Sequence, residues 1–298
     1  MCSCLVCIVD CELLKSRSKI LNLKIQFVEI EDLKFAQKNK LGTIQFIQSA
    51  NCKDLSPGSL NPKNAKYILD NLNFGITECL KNKKVGLVTG PIQKSNIIEG
   101  GFKTFQGHTE WIQKRTKSKN VVMLLSAKNI KVALATTHIP LTEVAKNISK
   151  AKLVETIQTL HSGLKTKFKI KHPSITVLGL NPHAGENGKI GTEEIKKINP
   201  AVKVCRDMGI NASYAISADT AFTAKKLKQT DVYLAMYHDQ ALPVLKALSF
   251  GEAVNITLGT GIVRTSVDHG TALDIAGKMK PNLGSIKEAI KAAEVQLK

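Results

Sequence analysis

Short apolar runs alternate with amphipathic stretches along this chain, and three of the runs end in a histidine. The alternation is the signature of βαβ units packed into a largely parallel sheet. Strands are expected at Leu5–Val9, Ile25–Ile30, Val85–Thr89, Val121–Leu125 and Val132–Thr136. Three more are expected at Ile175–Leu180, Val232–Met236 and Val254–Leu258. In Lys152–Lys167, Leu153, Ile157, Leu160 and Leu164 fall at the helical period. A helix is expected after Asn61-Pro62, and a last one opening on Ser285 and Glu288 in capping-box spacing. No repeat or low-complexity linker interrupts the pattern.

The three histidine-ended runs are Val132–His138, Ile175–His183 and Val232–His238. In an open α/β sheet, ligands sit beyond the carboxyl ends of the strands. Three imidazoles delivered to that edge suit a metal site that leaves positions for a substrate. Each lies beside turn chemistry: Pro140, Pro182 with Gly185, and Asp239. The chain has only seven histidines, so the pattern is economical.

Composition narrows the class. At 298 residues the chain holds two modest domains or one large α/β unit. No run approaches a membrane span, and no basic, apolar leader opens the chain, so a cytoplasmic protein without membrane contact is expected. The net charge of +19 raises nucleic-acid binding. Against it, arginine occurs only at Arg17, Arg115, Arg206 and Arg264, the lysines are scattered, and aromatic residues make up 5%. A lysine-rich surface that favours small anions is the expectation instead. Cys2, Cys4, Cys7 and Cys11 crowd the start, but Cys4 to Val9 also reads as a buried strand. Seven cysteines, an odd number, fit reduced thiols.

Three further segments carry polar chemistry. Leu180-Asn-Pro-His-Ala-Gly-Glu-Asn-Gly188 follows a strand directly and lets backbone amides approach an anion. It is not the glycine fingerprint of dinucleotide folds, which is absent from the chain. Phe105-Gln-Gly-His-Thr-Glu110 places His108 and Thr109 as donors to a phosphate or carboxylate; Thr109 also suits the N-cap of a helix starting near Glu110. Lys246, Asn255 and Arg264 combine a point charge, an amide and a planar fork, which suits a phosphorylated acid. Asp268, His269 and Asp274 belong to the same site's edge or pair as surface charges.

Taken in order, Thr89-Gly-Pro-Ile, Gly107-His-Thr-Glu110, Ala135-Thr-Thr-His138-Ile-Pro and Leu180-Asn-Pro-His183-Ala-Gly-Glu resemble the 4-hydroxythreonine-4-phosphate dehydrogenase family. So do Ser217-Ala-Asp-Thr220, Ala235-Met-Tyr-His238-Asp-Gln, Val254-Asn-Ile-Thr-Leu-Gly259 and Arg264-Thr-Ser-Val-Asp-His-Gly-Thr-Ala-Leu-Asp274. The resemblance implies an isocitrate/isopropylmalate-dehydrogenase-like α/β/α fold of two subdomains, with the active site in the cleft between them. The division expected is 1–110 plus 271–298 against 111–270, the latter carrying the metal ligands and a dimer interface. The resemblance implies a homodimer with a shared site and a divalent metal, zinc before magnesium or cobalt. The ligands would be His138, His183 and His238, with His238 supplied by the partner subunit. Substrate contacts carry over to His108, Thr109, Lys246, Asn255 and Arg264. The implied reaction is oxidation of 4-phosphooxy-L-threonine by NAD or NADP, followed by decarboxylation to 3-amino-2-oxopropyl phosphate. Asp219 and Lys246 are the candidates for the base.

The chain departs from the family pattern in three places. The glycine- and proline-rich opening G-D-P-A-G-I-G-P is absent, so the chain starts at what reads as the second strand. Leu258-Gly-Thr-Gly261 stands where L-G-L-P is usual, and Tyr214-Ala-Ile replaces G-P before an aliphatic residue. Three competing readings follow: a dehydrogenase of a four-carbon sugar acid phosphate of the threonate or erythronate type, a non-catalytic metal-binding dimer, and an acyltransferase of similar architecture that has no need of three histidines.

Overall fold

The computed structural model describes residues 3–53, 56–128, 130–249 and 251–298, which divide into two compact units. The first comprises Met1–Asn82, Pro91–Arg115 and His269–Leu283; the second comprises Lys83–Gly90, Thr116–Asp268 and Gly284–Lys298. Cys2 lies outside the described residues.

The first unit holds a parallel three-stranded sheet of β1 (Val6–Val9), β2 (Gln26–Glu29) and β3 (Thr43–Gln48), in the order β1-β3-β2. Its helices are α1 (Cys11–Ile20), α2 (Ala65–Lys81), α3 (Lys94–Glu99) and α4 (His108–Thr116). Asp10, 3% exposed, ties it together: Oδ1 caps α1 through Glu12 N and Oδ2 accepts from Cys52 N at 2.9 Å. The expected burial of the first strand is not met: Cys4 and Cys7 are exposed. The central strand β3 is absent from the sequence expectation because its glutamines interrupt the apolar run; Gln45 is occupied locally, exchanging two hydrogen bonds with the Gln37 backbone.

The second unit is a seven-stranded mixed sheet in the order β4-β10-β9-β5-β6-β8-β7. The strands are β4 (Gly86–Thr89), β5 (Val122–Ala127), β6 (Ile130–Leu134), β7 (Ile175–Val177), β8 (Val232–Ala235), β9 (Val254–Leu258) and β10 (Val263–Val267). Its helices are α5 (Leu141–Asn147), α6 (Lys150–Lys167), α7 (Asn199–Asp207), α8 (Ala224–Gln229), α9 (His238–Ser249) and α10 (Gly284–Leu297). Alternate strand residues point to opposite faces. Leu124, Ala133, Leu234 and Ile256 therefore join α6, α7 and α10 in one apolar cluster. Leu125, Val132, Tyr233 and Ala235 join Ala241, Leu242 and Leu245 of α9 in the other. Both faces of the sheet are covered, which makes this unit an α/β/α sandwich.

Two boundary expectations change. Residues 284–298 belong to the second unit because α10 packs on β10, β4 and β9. Residues 83–90 belong there too, since β4 pairs with β10 in parallel. Ser285 does not cap α10; its hydroxyl donates to Ala253 O and accepts from Asp268 N. Thr109 does not cap α4 but lies within its first turn. Among the described residues, no helix is long and apolar enough to cross a membrane.

Candidate active site

The strands β6, β8 and β7 are consecutive neighbours and mutually parallel, so their carboxyl ends share one edge. Beyond the ladder, Ala135 N donates to Ala235 O at 2.8 Å and Thr136 Oγ1 to Met236 O at 2.7 Å. These two bonds keep the chains together as they leave the sheet. His138 and His238, the first residue of α9, emerge with ring centroids 5.5 Å apart and planes tilted by 45°. Two imidazoles bound tetrahedrally to one zinc through nitrogens about 2.0–2.1 Å from it have centroids roughly 5 Å apart. The pair therefore has the spacing a shared ion requires. Within this chain, the adjacency of β6 and β8 brings the two rings together.

Gln240 spans the neighbouring strand end. Its Oε1 accepts from Met236 N at 2.7 Å and its Nε2 donates to Gly179 O at 2.5 Å. Past Gly179 the chain turns into Pro182–Gly188, where His183, Ala184, Gly185, Glu186 and Asn187 all take positive φ, between 44° and 82°. Left-handed backbone costs an L-residue roughly 1–2 kcal/mol, so a consecutive run of it must be held by its surroundings. His183 lies near Asp219, whose carboxyl is held below the usual carboxylate range. The Ser217 hydroxyl, 2.5 Å away, is the main cause, and the His183 imidazole adds to it. Among the described residues, no three His, Cys, Asp or Glu side chains converge as a metal group. The structure brings His138 to His238 and His183 to Asp219.

A row of buried polar residues crosses the other half of the sheet. Asn255 stands opposite Leu125 and Ser266, so it shares the face that α9 covers. Arg264, 2% exposed, lies on that face, with Nη1 donating to Thr257 Oγ1 at 3.1 Å and Nη2 to Thr89 Oγ1 at 2.8 Å. Two neutral hydroxyls thus fix the plane of a buried guanidinium. Asn255 Oδ1 is buried without a hydrogen-bond partner among the described residues. Leaving such an acceptor unmade costs about 1–3 kcal/mol, a cost a bound donor removes. Lys246 on α9 lies 3.4 Å from Asp268 Oδ2, just past β10. Thr89, Thr257, Ser266 and Gln240 lie in segments that carry the family resemblance, but the sequence assigns none of them a role of its own. His108 and Thr109 occupy the first turn of α4 in the first unit. His269 Nδ1 lies 2.9 Å from Gly270 O, and Asp274 offers its backbone carbonyl to Lys278.

The family model described as pyridoxal phosphate biosynthetic protein PdxA matches residues 1–293. A protein of Enterobacter sp. strain 638, named 4-hydroxythreonine-4-phosphate dehydrogenase, is 45% identical over 289 residues, covering 97% of this chain and 88% of the relative. A crystal structure of a protein so named from Klebsiella pneumoniae superposes with a TM-score of 0.89 at 29% identity, over 98% of this chain and 90% of that one. One from Burkholderia phymatum gives 0.83 at 34% identity, over 96% and 87%.

Proposed function

Because this chain belongs to the PdxA family of pyridoxal phosphate biosynthetic proteins, we propose that it is a 4-hydroxythreonine-4-phosphate dehydrogenase, an oxidoreductase acting on a phosphorylated hydroxy amino acid. Relatives of 43–45% identity carrying that name favour this reading over a sugar acid phosphate as substrate. Carbon C3 of 4-phosphooxy-L-threonine gives up its hydrogen as hydride to NAD or NADP, and the hydroxyl on that carbon gives up its proton to the enzyme. The resulting β-keto acid loses CO2 and leaves 3-amino-2-oxopropyl phosphate.

His138, His183 and His238 would hold a divalent ion, zinc being the natural match for imidazole donors. The single observation that carries this is the 5.5 Å spacing of the His138 and His238 rings. When bound, the ion supplies Lewis acidity at the substrate's C3 oxygen. Arg264 presents a fork to the substrate's anionic groups, and Asn255 Oδ1 accepts from its ammonium or hydroxyl. Lys246 adds a mobile positive charge, and His108 and Thr109 are further substrate contacts. Asp219 and Lys246 are the two candidates for the base, Asp219 as an ionised carboxylate beside His183 and Lys246 only in its neutral form.

A homodimer with a shared site is part of the same reading. Ile139 and Leu141 follow His138, Ile190 and Ile195 follow His183, and all four are exposed. Apolar side chains grouped around candidate ligands are what a second subunit would cover.

Turnover decides the function. The purified protein, supplied with zinc and 4-phosphooxy-L-threonine, should reduce NAD or NADP and release CO2 in equal amounts. Turnover confined to phosphorylated threonate or erythronate would overturn the substrate assignment.

A further inference from the structure

The left-handed run that carries His183 is wound around one buried carboxylate. Glu194 is 2% exposed and opens a single π-helical turn, Glu194–Ile198, that leads into α7. Its Oε1 accepts from Leu180 N at 2.7 Å and from Asn181 N at 2.8 Å. Its Oε2 accepts from Asn181 Nδ2 at 2.9 Å. Asn181 Nδ2 also donates to Glu193 Oε2 at 2.8 Å, so one amide is forked between two carboxylates. The backbone closes on Glu194 both ahead of the run, at Gly179, and within it, at Gly185. A Cβ added to Gly179 would sit 3.1 Å from Oε1, and one added to Gly185 would sit 2.7 Å from Oε2.

Every bond here runs from the loop to the carboxylate, and an amide of the same shape can keep only part of the set. In Glu194→Gln, one oxygen still takes the two backbone N–H groups. The new NH2 then faces the NH2 of Asn181, donor against donor. Turning the Asn181 amide over would put its oxygen against the Glu193 carboxylate. The shape of the site survives the substitution while its hydrogen-bond polarity fails.

We propose that Glu194 is the positioning residue for His183, fixing the residues that lead into the left-handed run and so the point from which the imidazole reaches its ligand. This rests on the reading of His183 as a metal donor. Groups that orient a ligand from behind typically cost 10–100-fold in metal affinity when changed.

Cobalt or zinc titration of the full-length protein tests it, with thermal unfolding followed in parallel. Glu194→Gln should weaken metal affinity by at least about tenfold. Leu164→Ala, which opens a cavity under α6 and lowers stability without touching the loop, should leave affinity as in the wild type. Wild-type affinity in Glu194→Gln overturns the proposal, and so does an equal loss in Leu164→Ala, which would mark general loosening. Where Glu194→Gln does not accumulate as folded protein, Glu194→Asp takes its place; it keeps the charge, falls one methylene short of the loop and is judged by the same outcomes. His183→Ala separates the two levels. If it binds metal as the wild type does, the donor role of His183 fails and takes the proposal with it. If it binds weakly while Glu194→Gln is unchanged, only the positioning role of Glu194 is lost.

Discussion

Arg264 shows what a single residue can disclose in a sequence and what it cannot. Beside Lys246 and Asn255 it reads as the planar fork of a site for a phosphorylated acid. Its partners Thr89 and Thr257 were invisible, because a hydroxyl in an apolar strand is ordinary β composition until the strands are paired. Arg264→Lys should lower kcat/KM by tenfold or more, mainly through KM, since an ammonium cannot hold both hydroxyls and a planar anion. Steady-state kinetics beside a surface control such as Lys225→Ala would check this; equal effects would remove Arg264 from substrate binding. Asp219 carries a pH consequence. Its folded-state pKa lies below its ordinary value, so its contribution is present at neutral pH and is lost as pH falls through that lowered pKa. Ser217→Ala removes the largest cause, so the carboxyl should titrate at higher pH in the variant. NMR titration of the Asp219 carboxyl reads the shift directly, and an unmoved midpoint would exclude Ser217 as its source.

At the scale of elements, apolar strands were legible and polar ones were not. The runs leading to His138, His183 and His238 are hydrophobic because both faces of β6, β7 and β8 are buried, and they stand almost where expected. β10 is equally buried, yet its Arg-Thr-Ser centre hides it, since one of its faces is built of polar groups. A period-2 apolar pattern detects packing, and it fails where a strand packs against chemistry instead. The left-handed run from His183 to Asn187 was unreadable for a related reason: only Gly185 and Asn187 favour that backbone, and a buried carboxylate fourteen residues from Leu180 holds the rest. Gly185→Ala should therefore destabilise the protein by more than about 1 kcal/mol, because φ is +82° and the new Cβ meets both Glu194 and Gly191 O. Thermal unfolding measures it; a midpoint equal to the wild type would mean that the run has room to relax.

At the scale of the whole molecule, the resemblance correctly gave an α/β/α architecture, but the partition of the chain followed packing rather than sequence order. A site shared across a homodimer sets an expectation for mixed assemblies. A dimer reconstituted from His138→Ala and His238→Ala subunits should regain up to about half the activity, because one of its two sites then draws intact ligands from both chains. Mixed dimers verified by mass that stay inactive would instead place all the ligands on one chain, in line with the 5.5 Å spacing of its own His138 and His238 rings. The interleaved partition also bears on synthesis. The second unit draws on residues 83–90, 116–268 and 284–298, and its edge strand β4 finds its ladder partner among the described residues, β10, some 175 residues later. A chain released from the ribosome amino end first must therefore hold β4 without this partner until β10 has emerged, and α10 covers the sheet only after that. Completion of this sheet is therefore slow by topology, and the waiting strand is exposed to chaperones and self-association.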